Sequence, residues 1–307
     1  MFLRVLKFLF VVVRNLFDMD KKKPDIKWVE INKNEKGEYE AYEIPRIIWI
    51  YWDSVDRPTF VNICISQVRK KCPEFDIILL NKNNVLNYIE LPLLDESLPK
   101  ALVADLIRLK LLERYGGVWM DASIFLNESL QWILSRLNGQ DAFLFYSDEC
   151  TADIEHPISE NWLIVSPKKS KFIHAWLREY ESCITSNDPV SYYSAIKENK
   201  GLMQNLTKPD YLLCYISAIM VLSNSKFNIL YASSATVGHF FNYKYRFDGN
   251  SVAVDMLLKN RKRIFVPKLI KFTSGTRNAM EKYIEKGFYT KRSLIGGVVS
   301  SLKDIAR

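Results

Sequence analysis

Three charged residues stand where an apolar pattern would not put them. In "ALVADLIRLKLLERY", residues 101–115, Asp105 and Arg108 are three apart, hence neighbours on a helix, and share a sector with Ala104, Leu109, Leu111 and Leu112. Lys110, Glu113 and Arg114 take the other side, an ordinary solvated face. After Gly116-Gly117, "VWMDAS" carries one carboxylate, Asp121, at the end of a short apolar strand, with Ser123 two residues on. A lone acid so placed is costly unless a cation, a metal or hydrogen-bond donors answer it. Residues two apart in a strand point to one side, so Asp121 and Ser123 can share a cation. The Asp105–Arg108 pair would point across the sheet at a polar ligand beside Asp121. The rival reading is an internal ion pair. Only about two helical turns part Arg108 from Gly116, so helix, turn and strand must pack as one unit, and that proximity favours a site.

The flanking sequence supplies the elements that would hold these groups. "IPRIIWIYW", Ile44 to Trp52, and "FDIILLN", Phe75 to Asn81, read as buried strands, with a helix between them in "RPTFVNICISQVRKKCP" and a short one near 84–89. A strong helix over 101–115 leads to a third strand at 118–121. Further strands are expected at 142–146, 162–165, 228–231 and 263–266, and helices at about 170–184, 190–199 and 210–223, while 24–43 reads as polar and irregular. Strands alternating with helices predict an α/β fold with a mostly parallel mixed sheet flanked by helices. Ligands of such sheets bind at the carboxyl ends of strands, where Asp121 stands.

The 307-residue chain carries 43 Lys+Arg against 35 Asp+Glu, a net charge of +8, which suits a polyanionic partner. Basic clusters lie in "DKKKPDIK" and "KNRKRIFVPKLIK", but no zinc finger or aromatic RNA-binding strand motif accompanies them, which argues against nucleic acid. Five cysteines without pairing motifs read as reduced thiols of a cytoplasmic protein. On a helical wheel of residues 1–17, Arg4, Lys7, Arg14 and Asn15 gather within about one third of the circumference, opposite Phe, Leu and Val. That is the pattern of a helix lying in a membrane interface, with a helix packed on the domain or a partner and a signal segment as the rival readings; no apolar run is long enough to span a membrane. The expected organisation is a membrane-associating segment over 1–23, an α/β domain over 24–275 and a basic helical tail over 276–307, in a protein peripheral on the inner face of the cell membrane.

The combined pattern "IPRIIWIYWDSVDRPTFVNICISQVRKKCPEFDIILLNKNN" and "ALVADLIRLKLLERYGGVWMDAS" resembles the bacterial capsular-polysaccharide-synthesis family of sugar transferases, grouped with glycosyltransferase family 32. The likeness is strong from about Ile44 to Asn127 and looser to about Phe272. It implies a GT-A type nucleotide-sugar-binding fold and retaining transfer of a hexose from a nucleotide-sugar donor, UDP-linked, to a lipid-linked glycan acceptor. It also implies Mn²⁺ or Mg²⁺ as cofactor. By the resemblance, Asp105 and Arg108 contact the donor sugar, and Asp121 contacts ribose and metal-bound phosphate. Trp49 lies against the base, with Tyr51 and Trp52 nearby. Two departures stand out. Ser123 replaces the second acid of the family's DxD element, and Pro267 stands where relatives carry a metal-completing histidine. His239 is the substitute candidate for that ligand. Lys268 and Lys271 are candidates to neutralise the leaving diphosphate. Asn161 and Asp210, with Asp148 and Glu149, are candidates to face the acceptor. The departures also admit a non-catalytic scaffold that binds nucleotide sugar or membrane.

Overall fold

The computed structural model describes residues 23–33 and 43–305, together with positions 10, 12, 13 and 17. The expected interfacial helix over 1–17 therefore lies largely outside the described residues. Among the described residues no helix is long and apolar enough to cross a membrane.

The β-branched and aromatic runs form strands. A seven-stranded sheet contains β1 (Trp28–Ile31), β2 (Ile47–Tyr51), β3 (Asp76–Leu80), β4 (Gly117–Met120), β6 (Ala142–Tyr146), β7 (Ser159–Ser166) and β8 (Ile229–Ser233), in the order β1-β8-β6-β7-β4-β2-β3. A separate antiparallel ribbon pairs β5 (Ile124–Leu126) with β9 (Leu269–Lys271). The sheet is mixed, as expected, but its parallel pairings are β2 with β3, β2 with β4 and β6 with β8; the pairings of β1 with β8, β4 with β7 and β6 with β7 are antiparallel. The difference arises where the chain returns without a crossover helix. The loop 147–158 that joins β6 to β7 holds no crossover helix, and the chain returns antiparallel.

Helices cover both faces. On one, α2 (Lys100–Tyr115), α3 (Lys171–Ile184) and α4 (Leu213–Asn224) bury Leu106, Leu109, Trp176 and Ile216 against Trp49, Trp119 and Leu144. Each fully buried leucine there contributes about 1.5–3 kcal/mol. The other face holds Ile48, Ile50, Val118, Met120 and Phe143. A third cluster joins α1 (Thr59–Lys71) to the C-terminal helices: Phe60 and Ile63 pack with Val252 and Met256 of α6 (Gly249–Leu257), Met280 of α7 (Ser274–Glu285) and Ile295 of α8 (Leu294–Ile305). Between β8 and α6 lies the short α5 (Phe240–Lys244).

Three expectations are corrected. β1 sits inside a stretch read as irregular, because a four-residue edge strand carries too little pattern to stand out. The strand expected near 263–266 lies instead at 269–271, displaced by a 3₁₀ turn at Arg261–Arg263. The helix expected at 190–199 breaks into single turns, Ser194–Lys197 and Lys200–Met203. Asn199 caps the second by accepting from the Gly201 and Leu202 amides at 3.1 and 3.2 Å.

Candidate active site

Gly116 and Gly117 set the geometry of the site. Both have positive φ, +66° and +92°. A Cβ on Gly116 would lie 2.5 Å from the Lys168 amide nitrogen, and one on Gly117 would lie 2.7 Å from the Ile47 carbonyl oxygen. Only glycine allows α2 to turn so tightly into β4 between its neighbours. Asp121 is thereby delivered to the carboxyl end of β4, its own N–H donating to the Trp162 carbonyl at 2.9 Å. A cavity of about 850 Å³ opens there, bordered by Asp105, Arg108, Asp121, Asn161 and Lys271.

The charges form one network. Arg108 Nη2 lies 2.9 Å from Asp105 Oδ1 and 3.5 Å from Asp121 Oδ1, and its guanidinium sits 4.9 Å from the Trp119 ring centroid. Arg108 also donates to the Asn161 carbonyl, and the Asn161 side-chain amide donates to Asp105 Oδ1 at 3.0 Å. Trp119 Nε1 donates to Asp121 Oδ1 at 3.0 Å, and Lys271 Nζ donates to Asp121 Oδ2 at 2.6 Å. Asp121 is thus answered by a lysine 150 residues away. The lysine arrives because β9 runs antiparallel to β5 with Lys271 opposite Ile124.

Burial and neighbours pull the two carboxyls apart. Burial raises Asp105 to about 6, assisted by the Asp121 charge and only partly offset by Arg108. Burial would also raise Asp121, but Lys271, Arg108 and the hydrogen bonds from Lys271 and Trp119 outweigh it and hold it below the ordinary carboxylate range. Asp121 is therefore the permanent anion of the pair, and Asp105 the one able to carry a proton near neutral pH.

The sequence candidates divide. Asp105, Arg108, Asp121, Ser123, Asn161, Tyr51, Trp52 and His239 all border the cavity. Trp49 does not: it is buried in the core, its Nε1 donating to the Gly116 carbonyl at 3.0 Å and its ring against Tyr88 and Tyr115. Two residues further along the same strand, Tyr51 reaches the cavity and donates to Asp53 Oδ1 at 3.0 Å, while Lys100 pairs with Asp53 Oδ2 at 2.5 Å. Trp52 presents its ring to the Arg277 guanidinium at 4.9 Å. Asp210 turns outward to Lys197 at 2.6 Å, and it is Tyr211 and Tyr215 of that stretch that border the cavity. Asp148 is occupied by Ser233 Oγ and the Ala235 amide at 2.8 Å each; the Glu149 amide meets the Tyr243 hydroxyl at 3.3 Å. Lys268 pairs with Glu128 at 2.6 Å instead of reaching Asp121.

Glu160 and Arg277 escaped the sequence reading. Glu160 accepts from Trp162 Nε1 and from Ser234 Oγ at 3.2 Å, and burial pushes it up to about 7. Its Oε2 stands 3.6 Å from His239 Nε2. Asn242 Nδ2 lies 2.7 Å from His239 Nδ1 and also donates to the Lys271 carbonyl at 2.8 Å. That assigns the lone pair to Nδ1 and the proton to Nε2, facing Glu160. Burial and then Lys271 push His239 down to about 3, so its ring stays neutral. The run of polar Ser159, Glu160 and Asn161 hid the first three residues of β7, so no local pattern pointed to Glu160.

This donor set does not fit a divalent cation. Both oxygens of Asp121 already accept from Trp119 and Lys271. Ser123 Oγ spends its proton on the Phe272 carbonyl at 2.8 Å and faces the Lys271 ammonium at 3.2 Å. His239 Nδ1 is engaged by Asn242, and its Nε2 carries the proton. Pro267 contributes its carbonyl to Asn127 Nδ2 at 2.8 Å. Among the described residues no three His, Cys, Asp or Glu side chains converge as a metal site.

A family model described as capsular polysaccharide synthesis protein matches residues 12–236. Curated protein sequences give no match. Among solved structures the chain is similar to the PaToxG glycosyltransferase, with 12% identity over 85% of this chain and 89% of that one at a TM-score of 0.38. It is also similar to a glycosyltransferase involved in glycosylation of the major capsid of PBCV-1, with 9% identity over 78% and 100% at 0.40. A third likeness is to the glycosyltransferase GlyE of Streptococcus pneumoniae, with 11% identity over 81% and 66% at 0.40. At such identities and scores these likenesses say nothing about residues or chemistry. The family match spans most of the sequence: the chain belongs to the capsular polysaccharide synthesis protein family.

Proposed function

We propose that this protein is a glycosyltransferase of the GT-A type that moves a hexose from a nucleotide-sugar donor, UDP-linked, to a lipid-linked glycan acceptor in capsule synthesis. The observation that carries the reading is the convergence of Asp105, Arg108, Asp121 and Lys271 on one cavity at the carboxyl end of β4, beside the exposed flank of Trp52. Such transfer breaks the anomeric C–O bond, whose electron pair stays on the departing diphosphate. A hydroxyl oxygen of the acceptor forms the new bond and loses its proton to the leaving phosphate or to solvent. Retention of configuration is the outcome that the family resemblance implies. Positive charge belongs at the diphosphate, and polar groups at the sugar ring.

The residues divide accordingly. Asp105 and Arg108 hydrogen-bond the sugar hydroxyls, each charge-assisted bond contributing about 1.5–3 kcal/mol and discriminating epimers by hydroxyl position. Trp52 and Tyr51 hold the base, and Asn161 positions the Asp105–Arg108 pair from β7. Tyr211 and Tyr215, with Asn161, line the approach for the acceptor. The net charge of +8 and the amphipathic pattern of residues 1–17 support attachment to the inner face of an anionic membrane, where a lipid-linked acceptor would lie.

The test is a panel of nucleotide sugars screened by thermal shift and by nuclear magnetic resonance of donor turnover. One UDP-sugar should raise the melting temperature and be hydrolysed slowly without acceptor. A panel that neither stabilises the protein nor turns over removes the reading.

A further inference from the structure

We infer that Lys271, with Arg277, takes the place of a divalent cation at the donor diphosphate, so that transfer proceeds without metal. The inference rests on the nucleotide-sugar reading above and adds how that site handles charge.

The ammonium of Lys271 has three protons. One goes to Asp121 Oδ2 at 2.6 Å and one to Ser123 Oγ at 3.2 Å, which leaves the third for the cavity that Lys271 borders. Ser123 is oriented for this: its own proton is committed to the Phe272 carbonyl at 2.8 Å, so its lone pair faces the ammonium. Asp121 and Ser123 thus hold the lysine as a DxD pair would hold a metal. The serine in the second position follows from the size of the charge. Asp121 balances Lys271, so the positive charge left for the phosphates is that of Arg277, and a second carboxylate at position 123 would cancel it.

The electrostatic sum agrees. One carboxylate with a divalent cation leaves a single positive charge toward the phosphates; Asp121 with Lys271 and Arg277 leaves the same. Arg277 borders the same cavity from the first turn of α7, stacked over Trp52 at 4.9 Å and within electrostatic reach of Asp121. The amino end of that twelve-residue helix, capped by the Thr273 hydroxyl, reaches the cavity through Thr273 and Ser274. Its dipole favours the same anion. When the anomeric C–O bond breaks and the diphosphate gains a further negative charge, Lys271 stabilises that charge with an ammonium already positioned.

The experiment measures UDP affinity by calorimetry, and turnover of the stabilising UDP-sugar, in wild-type protein with EDTA and with added Mn²⁺ or Mg²⁺. Wild type should bind UDP and turn over equally under all three conditions, within about twofold. Lys271→Met should weaken UDP at least tenfold in EDTA. Added Mn²⁺ should recover part of that loss, because Asp121 is then free to take a metal. The double variant Lys271→Met/Ser123→Asp should recover more, with circular dichroism checking that each variant folds. Wild-type turnover that is lost in EDTA and restored by Mn²⁺ overturns this inference and leaves the sugar-transfer reading intact. Wild type that binds no uridine nucleotide under any condition overturns both.

Discussion

Two of the Asp–Lys pairs among the described residues behave in opposite ways. Asp121 and Lys271 meet at 2.6 Å at the floor of the cavity, with side chains 25% and 12% exposed. Asp255 and Lys259, i and i+4 from α6, meet at 3.5 Å with side chains fully sealed, and neither Asp255 Oδ1 nor Lys259 Nζ has another hydrogen-bond partner among the described residues. The Tyr245 hydroxyl donates to Asp255 Oδ2 at 2.6 Å. Burial wins at Asp255, raising its carboxyl despite Tyr245, Lys244 and Lys259. The neighbours win at Asp121 and lower it. A buried charge is therefore no mark of a site by itself. What distinguishes the cavity pair is open space in front of its ammonium.

The largest expected effect tests the sealed pair. Lys259→Met removes one partner of a fully buried pair and leaves Asp255 to bear the desolvation cost, so the fold should lose about 3–5 kcal/mol. Asp255→Asn combined with Lys259→Met should recover most of it, because the surviving amide still accepts from Tyr245. Urea denaturation gives both values, and UDP affinity of the folded variants should match wild type. Weakened UDP binding would place the sealed pair in the functional network and break the comparison.

Between the extremes stand Glu160, which is buried, and His239, which lies 3.6 Å from it and borders the cavity. Their pKa values move in opposite directions. Glu160 rises from 4.5 to about 7 on folding, so the folded state binds that proton more tightly, and stability falls as pH rises through this window. His239 falls from 6.5 to about 3, so the unfolded state binds its proton more tightly, and stability rises with pH over an overlapping window. The slopes cancel in wild type. Glu160→Gln, which keeps the acceptor for Trp162, should leave only the histidine slope, a gain of about 3 kcal/mol from pH 4 to 6.5. His239→Gln should leave only the glutamate slope, a similar loss. Denaturation curves at a series of pH values check the pair. Parallel profiles for the two variants would show that the groups do not titrate as a neutral dyad.

At the open pair, Asp121→Asn should cut turnover about a hundredfold, about 2.7 kcal/mol of barrier, while the fold stays intact. The amide still accepts from Trp119, but it no longer holds the Lys271 ammonium by charge. Steady-state kinetics with the stabilising UDP-sugar measures this. Near-wild-type turnover would reduce the cavity pair to the same structural role as Asp255 and Lys259.

How much of this the sequence disclosed depends on range. Asp105, Arg108 and Asp121 were readable because helix periodicity, the glycine turn and the strand are all local, within seventeen residues of one another. Lys271 could be suspected as a phosphate partner but not placed against Asp121. The β5–β9 register that joins them spans almost 150 residues, and no local pattern encodes it. β9 itself was expected several residues too early, since "FVPKLIK" offers two short apolar runs and only tertiary pairing chooses between them. Glu160 was missed because β7 is sealed along its length, so the sheet tolerates polar residues that looked like the end of a strand. The mixed sheet was foreseen in outline, but two of its antiparallel pairings, β1 with β8 and β4 with β7, join strands that are not consecutive in sequence.

The two tryptophans of β2 and its exit give the smallest and sharpest contrast. Trp49 and Tyr51 point to the same face of the sheet, yet only Tyr51 borders the cavity, because one further step of the strand pleat carries it about 7 Å toward the carboxyl end. Trp52, leaving the strand, offers a ring flanked by Arg277 where a base can stack. Trp52→Ala should weaken UDP about tenfold, about 1.4 kcal/mol, within the range that one base–aromatic stack contributes. Trp49→Phe should leave UDP affinity unchanged and cost about 1 kcal/mol of stability, because the Gly116 carbonyl loses its indole donor at the turn that sets Asp121. Calorimetry with UDP and urea denaturation separate the two. Should Trp49→Phe weaken UDP as strongly as Trp52→Ala, the turn at Gly116 would have to transmit strain to the cavity floor, and Trp49 would become a positioning residue for Asp121.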